Sequence, residues 1–140
     1  MNTKIKWVDN AMFVAKSGSG HSVVMDGPED FGGQNLGVRP MEMVLMGLGG
    51  CTAFDVLLIL KKGRHNVTDC EVEITAERSE SVPKVYTKIH VHFVVTGRGL
   101  TEKAVARAVE LSSTKYCSVS IMLGHSVEMS HGFEVVEEAV

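Results

Sequence analysis

Alternating apolar and polar residues predict strands at both ends and in the middle of the chain. Three short apolar runs near the N-terminus are separated by turn-forming residues, and together they predict a β-meander. These runs are residues 4–8, 11–16 and 21–25. Two longer alternating segments, residues 70–76 and 85–95, predict strands with one buried and one solvated face. The apolar residues at 127–135 predict a last strand.

The longest apolar segment predicts a helix that begins at Pro40 and ends near Lys62. Proline suits the first turn of a helix, and Gly63 suits its end. The segment is apolar on nearly every side, so we expect a helix that is covered on most of its faces. Its length approaches that of a membrane span. Glu42, Asp55 and several small residues inside it favour a buried central helix instead.

Two shorter helices are predicted between the strands at 85–95 and 127–135. Thr101 can cap a helix whose apolar residues, together with Ser112, recur at helical spacing along one stripe. A break near Lys115 separates it from a short helix at about 117–123. The order βββ-α-ββ-αα-β predicts the α+β class, and the length predicts a single domain of residues 1–140.

Composition and charge exclude several classes of function. The net charge is −3, with acidic and basic residues interspersed, which argues against a nucleic-acid-binding surface. The first residues lack the apolar run of a signal peptide, so a cytoplasmic location is expected. No glycine-rich phosphate loop is present, and no cofactor is expected. His90 and His92 point the same way along a strand but lack a third ligand, so no metal site is predicted.

The three cysteines carry the most distinctive chemistry in the sequence. Cys70 falls on the inward side of a predicted strand, where a cysteine usually acts as a small buried hydrophobe. Cys51 directly follows two glycines and lies one turn after Gly47. The missing side chains allow either another backbone or a small molecule to come close to its sulfur. Cys117 is expected at the start of a short helix, where N–H groups and the helix dipole favour the thiolate. The residues alone leave open which of Cys51 and Cys117 is the reactive thiol and whether the two meet.

Two motifs resemble the OsmC/Ohr family of thiol-dependent hydroperoxide reductases, and most of all its small YhfA-like branch. The first is "GGQ" at 32–34, followed by Pro40-Met41-Glu42 and by Cys51 eleven residues after the proline. The second is "YCSVS" at 116–120. The resemblance implies the OsmC-like fold as an intertwined homodimer, in which the central helices pack together. It also implies two sites per dimer, each at the subunit interface.

The same resemblance implies a two-cysteine peroxidase mechanism. Cys51 would attack a small organic hydroperoxide and become a sulfenic acid, and Cys117 would condense with it to form a disulfide. An external dithiol would then reduce this disulfide. The implied partners are therefore a second copy of the chain, the hydroperoxide and the dithiol, with neither nucleic acid nor membrane.

One position departs from the family pattern. The family's peroxidases pair the attacking cysteine with an arginine from the N-terminal hairpin, held by a glutamate at the helix start. The corresponding turn here is "KSGSGH", which lacks arginine. The candidate replacements are Arg39, Lys16 and His21. Glu42 lies one position later than the glutamate of the family's Ohr subgroup, about 13 Å along the helix from Cys51 and on its opposite side. Without a nearby cation Cys51 would react slowly. The alternative is an OsmC-fold dimer that binds a small molecule or senses redox state with little peroxidase activity.

Overall fold

The computed structural model describes residues 1–139, which form two compact units, residues 1–46 and the residues from Gly47 onward. In the first unit, three antiparallel strands pair in the order β1-β2-β3. Their bounds are β1 Thr3–Asp9, β2 Met12–Ser17 and β3 Ser22–Met25. The predicted N-terminal meander is therefore present.

A loop with one short 3₁₀ turn, Glu29–Phe31, follows β3 and is organised around the buried carboxylate of Asp26. Asp26 accepts hydrogen bonds from the backbone N–H groups of Gly27, Gln34 and Leu36. Burial alone raises the pKa of Asp26, but these donors and the nearby charge of Arg39 outweigh burial and hold that pKa below its ordinary value. A polar, glycine-rich segment thus becomes an ordered loop because one carboxylate satisfies three of its backbone donors.

The second unit contains a three-stranded sheet with a helical crossover. Its strands are β4 Asn66–Arg78, β5 Tyr86–Arg98 and β6 Glu128–Glu137. β5 lies in the centre, antiparallel to β4 and parallel to β6. The chain between β5 and β6 forms α2 (Glu102–Leu111), a five-residue π-helical segment (Ser112–Tyr116) and α3 (Ser118–Leu123). The element order and the α+β class agree with the sequence prediction, and the predicted single domain stays a prediction.

The long helix α1, Pro40–Lys62, has the predicted bounds, but fewer of its faces are buried than predicted. Its buried residues form one stripe, with one residue per turn: Leu48, Thr52, Val56 and Leu60. On the opposite side, Phe54 is 68% exposed and Leu58 is 42% exposed. By length and composition alone α1 could cross a membrane, and only 22% of its most apolar window is buried. The expectation of a helix covered on most faces is therefore wrong for a single chain, because the chain itself buries only one stripe of α1.

Candidate thiol site

Helix α1 and the start of α3 bring two cysteines and one carboxylate together. Cys51 and Asp55 lie four residues apart on α1, which places them one turn apart on the same face. Cys117 caps the N-terminus of α3. The Sγ atoms of Cys51 and Cys117 and a carboxylate oxygen of Asp55 all lie within 4.8 Å of one another. We call these three residues the thiol cluster. The two cysteines that the sequence singled out are thus neighbours, although 66 residues separate them.

Two buried hydroxyls, those of Thr52 and Ser112, join α1 to the π-helical segment next to the thiol cluster. The side-chain oxygens of Thr52 and Ser112 are 2.9 Å apart, and both residues are fully buried. Ser112 also approaches the Asp55 carboxylate, at 3.5 Å. Its carbonyl accepts a hydrogen bond from the Cys117 N–H at 2.7 Å. Sequence reasoning missed this pair, and the available signal was Ser112, a polar residue on the apolar stripe of α2.

The environment of Cys117 disfavours its thiolate. The pKa of the Cys117 thiol is raised to about 11, chiefly because the sulfur is buried. Cys51 and Asp55 also contribute to this rise, whereas the N–H of Ser120, 3.4 Å from Sγ, acts against it. The predicted helix start is present, but the prediction that it favours the thiolate of Cys117 is wrong. The reason is that the loss of water around the sulfur outweighs a single N–H donor.

The two thiols differ in how accessible they are. Cys51 is half-buried, whereas Cys117 is fully buried. Asp55, which is also half-buried, lines a cavity of about 320 Å³. The cavity wall is mainly aliphatic and aromatic, with two basic groups, and comprises Leu58, Ile59, Lys62, Arg107, Leu111 and Tyr116. Cys51 is therefore the more accessible thiol of the cluster.

The three glycines before Cys51 (Gly47, Gly49 and Gly50) have different surroundings. A side chain at Gly49 would meet the Cδ1 atom of Ile74 at 3.2 Å, so this glycine lets α1 lie close to β4. A side chain at Gly47 or Gly50 would meet nothing within 4 Å. Two of the three glycines therefore clear space on a side of α1 that the chain itself leaves open.

Arg39 and Glu42, the two predicted supporting residues, lie at the start of α1 in the first unit. The Glu42 carboxylate accepts a hydrogen bond from the backbone N–H of Arg39 at 2.8 Å, which caps the helix that Pro40 begins. The Arg39 guanidinium donates to the Asn35 side chain and to the Gly37 carbonyl. Both residues thus stabilise the helix start, and a role toward Cys51 stays a prediction.

Comparison with known proteins identifies the family. The family model described as OsmC-like protein matches residues 32–132, which is more than two thirds of the chain. The chain belongs to the OsmC-like family. The predicted family is thereby confirmed.

Relatives of this OsmC-like protein extend over almost its full length. It is 51% identical over 136 residues to Protein YhfA of Escherichia coli K12, covering 97% of this chain and 98% of the relative. A crystal structure of a hypothetical protein from Aquifex aeolicus is 33% identical, with a TM-score of 0.86, and the match covers 99% of this chain and 97% of that one. A structure from Legionella pneumophila, described as an organic hydroperoxide resistance protein OsmC and predicted redox protein, matches with a TM-score of 0.72. It is 13% identical, and the match covers 96% of this chain and 97% of that one. This last likeness shows the fold alone.

The remaining residues singled out in this OsmC-like protein lie on the sheet, outside the thiol cluster. Cys70, on β4, is half-buried rather than buried. Burial raises the pKa of its thiol, and the adjacent Asp69 carboxylate raises it further. His90 bonds to Ser130 and His92 to Glu134, each at 2.7 Å across β5 and β6. These histidines therefore already have polar partners on the sheet.

Proposed function

We propose that this OsmC-like protein is a cytoplasmic, homodimeric two-cysteine peroxidase that reduces organic hydroperoxides. The observation that carries the proposal is the separation of the Cys51 and Cys117 sulfurs, which is within 4.8 Å. The protein of like fold from Legionella pneumophila, which is described as an organic hydroperoxide resistance protein, points to the same chemistry.

Cys51 is proposed as the attacking residue because it is the more accessible of the two thiols. Its thiolate attacks one oxygen of the hydroperoxide, and the O–O bond breaks. The departing alkoxide takes up a proton and leaves as an alcohol, while the Cys51 sulfur is oxidised by two electrons to a sulfenic acid.

Cys117 is proposed to resolve this intermediate. Its sulfur attacks the sulfenic sulfur, the S–O bond breaks, and the hydroxyl leaves as water once it gains a proton. The two sulfurs must then approach from the observed range to about 2.05 Å, which asks for a small side-chain adjustment. An external dithiol reduces the resulting disulfide by two exchange steps, becomes a disulfide itself and restores both thiols.

The cavity beside Asp55 is proposed as the route of the substrate. Three of its lining residues are aliphatic, Leu58, Ile59 and Leu111, and they favour the organic part of a hydroperoxide over hydrogen peroxide. We therefore expect activity to rise when the hydroperoxide carries an apolar group.

The homodimer is proposed because α1 leaves an apolar face open. At about 100° per residue, Gly47, Gly50, Phe54 and Leu58 lie opposite the buried stripe of α1. Phe54 and Leu58 are exposed, and the two glycines have free space beside them. Cys51 lies at the border between this open face and the buried stripe, so a second chain packed there would adjoin the thiol cluster. Arg39 and Glu42 support the same helix by capping its first turn.

The test is dithiol-dependent consumption of cumene hydroperoxide by the purified protein. Cys51→Ser is expected to fall to the rate without protein. Cys117→Ser is expected to turn over more slowly, because the external dithiol must then attack the sulfenic acid directly. Cys70→Ser is the matched control, which should match the wild type since Cys70 lies outside the cluster. Turnover by Cys51→Ser at the wild-type rate would overturn the proposal.

A second candidate function is a redox sensor with slow turnover. It is favoured by the Asp55 carboxylate, which lies beside both sulfurs and raises the pKa of the Cys117 thiol. No salt bridge pairs Asp55 with a lysine or arginine within residues 1–139. A sensor would be oxidised stoichiometrically and release alcohol once, without sustained turnover at saturating dithiol. Sustained turnover would exclude it.

A further inference from the structure

The donor atoms of the thiol cluster form a set that suits a metal ion. Thiolate sulfur is a soft ligand that selects thiophilic cations, and zinc sites combine cysteine sulfur with carboxylate oxygen. The cluster supplies two sulfurs and one carboxylate from two separate segments of the chain. Because these segments are far apart in sequence, no motif of closely spaced ligands predicts the three donor residues.

The distances fit a tetrahedral ion. Zinc binds sulfur at about 2.3 Å and carboxylate oxygen at about 2.0–2.2 Å, so its ligand atoms lie about 3.5–3.8 Å apart. The three atoms here all lie within 4.8 Å of one another. Each pair of atoms therefore needs to approach by at most about 1.0–1.3 Å to bind a common ion, which is within the reach of side-chain rotation.

The surroundings hold the ligands in place. The Ser112 hydroxyl lies 3.5 Å from the Asp55 carboxylate, and hydrogen bonds of this kind orient a ligating carboxylate. The Ser112 carbonyl fixes the backbone N–H of Cys117 at 2.7 Å. The half-buried Cys51 and Asp55 leave a way in from outside.

We propose that the reduced thiol cluster binds one thiophilic divalent cation of the zinc type through Cys51 Sγ, Cys117 Sγ and an Asp55 carboxylate oxygen. Three protein donors leave one position of a tetrahedral ion open. The bound ion occupies both sulfurs, so it blocks their oxidation to a disulfide. Binding of the ion does not depend on whether the protein reduces hydroperoxides.

The test is titration of the fully reduced protein with Cd²⁺ or Zn²⁺ alone, followed by calorimetry and by the ultraviolet cadmium–thiolate absorption. We expect one ion per chain and a thiolate band. Cys51→Ser and Cys117→Ser should each lose the band, and Asp55→Asn should weaken binding at least about tenfold. Cys70→Ser and Asp69→Asn are matched controls, because both residues lie outside the cluster, and they should bind as the wild type does.

Two results would overturn the inference. One is the absence of a thiolate band in the wild type, and the other is equal binding by Cys51→Ser, which would place the ion elsewhere. Circular dichroism of each variant shows whether it is still folded, so that the loss of a metal ligand can be distinguished from unfolding. Peroxide consumption without metal binding overturns this inference alone, whereas metal binding without peroxide consumption overturns only the proposed peroxidase.

Discussion

At the scale of single residues, the hydrogen bond between Thr52 and Ser112 stabilises the structure around the thiol cluster. Each hydroxyl is fully buried and bonds to the other across two segments, 60 residues apart. A buried hydroxyl that loses its partner keeps the cost of leaving water, whereas replacing both by apolar groups removes that cost. The pair therefore stabilises the approach of α1 to the π-helical segment that leads to Cys117.

We expect Ser112→Ala to lower the free energy of unfolding by about 1–3 kcal/mol, because the buried Thr52 hydroxyl loses its Ser112 partner. Thr52→Val should lower it less, because the Ser112 hydroxyl keeps the Thr52 carbonyl and the Asp55 carboxylate as acceptors. The double variant should lose less than the sum of the two single variants. Urea unfolding of all four proteins measures this coupling. Strictly additive losses would mean that the two hydroxyls do not stabilise each other.

At the scale of elements, the loop before α1 depends on the ionised form of Asp26. The pKa of this carboxyl is lowered in the folded protein from an ordinary value of 3.8. A depressed pKa contributes stability that is fully present above the ordinary value and is lost as the pH falls through the folded value.

We expect the loop of residues 26–39 to lose stability progressively as the pH falls below about 4 and through the lower pKa of folded Asp26. Asp26→Asn should open the loop at neutral pH, since an amide offers fewer acceptors to three N–H donors. Hydrogen exchange of the Gln34 and Leu36 amides measures the opening. Asp30→Asn is the matched control on the same loop. Unchanged protection of these amides in Asp26→Asn would contradict the role given to Asp26.

An element could be predicted from the sequence where residues typical of its ends mark its bounds. Pro40 and Gly63 mark both ends of α1, so its bounds could be predicted, and Thr101 caps α2 as expected through a hydrogen bond from the Ala104 N–H. The π-helical turn at Ser112–Tyr116 follows α2 with no proline or glycine at the junction, so no local signal marks where the α-helix ends. The parallel pairing of β5 with β6 is set by the crossover between them, which alternation does not encode.

At the scale of the whole molecule, the sequence predicts an apolar α1 but not which of its faces the chain covers. Hydrophobicity on every side is compatible with burial inside one chain and with burial between two chains. In the structure, one stripe is buried and Phe54 is 68% exposed on the other side. The meeting of Cys51 with Cys117 likewise depends on tertiary packing, and only the family resemblance suggested it.

We expect Phe54→Lys to raise the dimer dissociation constant at least about tenfold, because a charge on the open face of α1 would be buried without a partner. Val82→Lys is the matched control, since Val82 is 87% exposed in the loop between β4 and β5. Analytical ultracentrifugation measures both. A dimer that Phe54→Lys leaves as stable as the wild type would contradict the proposed interface.

Peptide mass spectrometry determines whether Cys51 and Cys117 act as one redox pair. Metal-free reduced protein receives one equivalent of cumene hydroperoxide, its free thiols are alkylated, and it is digested. We predict a disulfide-linked pair of peptides that contain Cys51 and Cys117, with Cys70 alkylated. Alkylated Cys117 beside a Cys51 oxidised beyond the sulfenic acid, or a disulfide that includes Cys70, would contradict it.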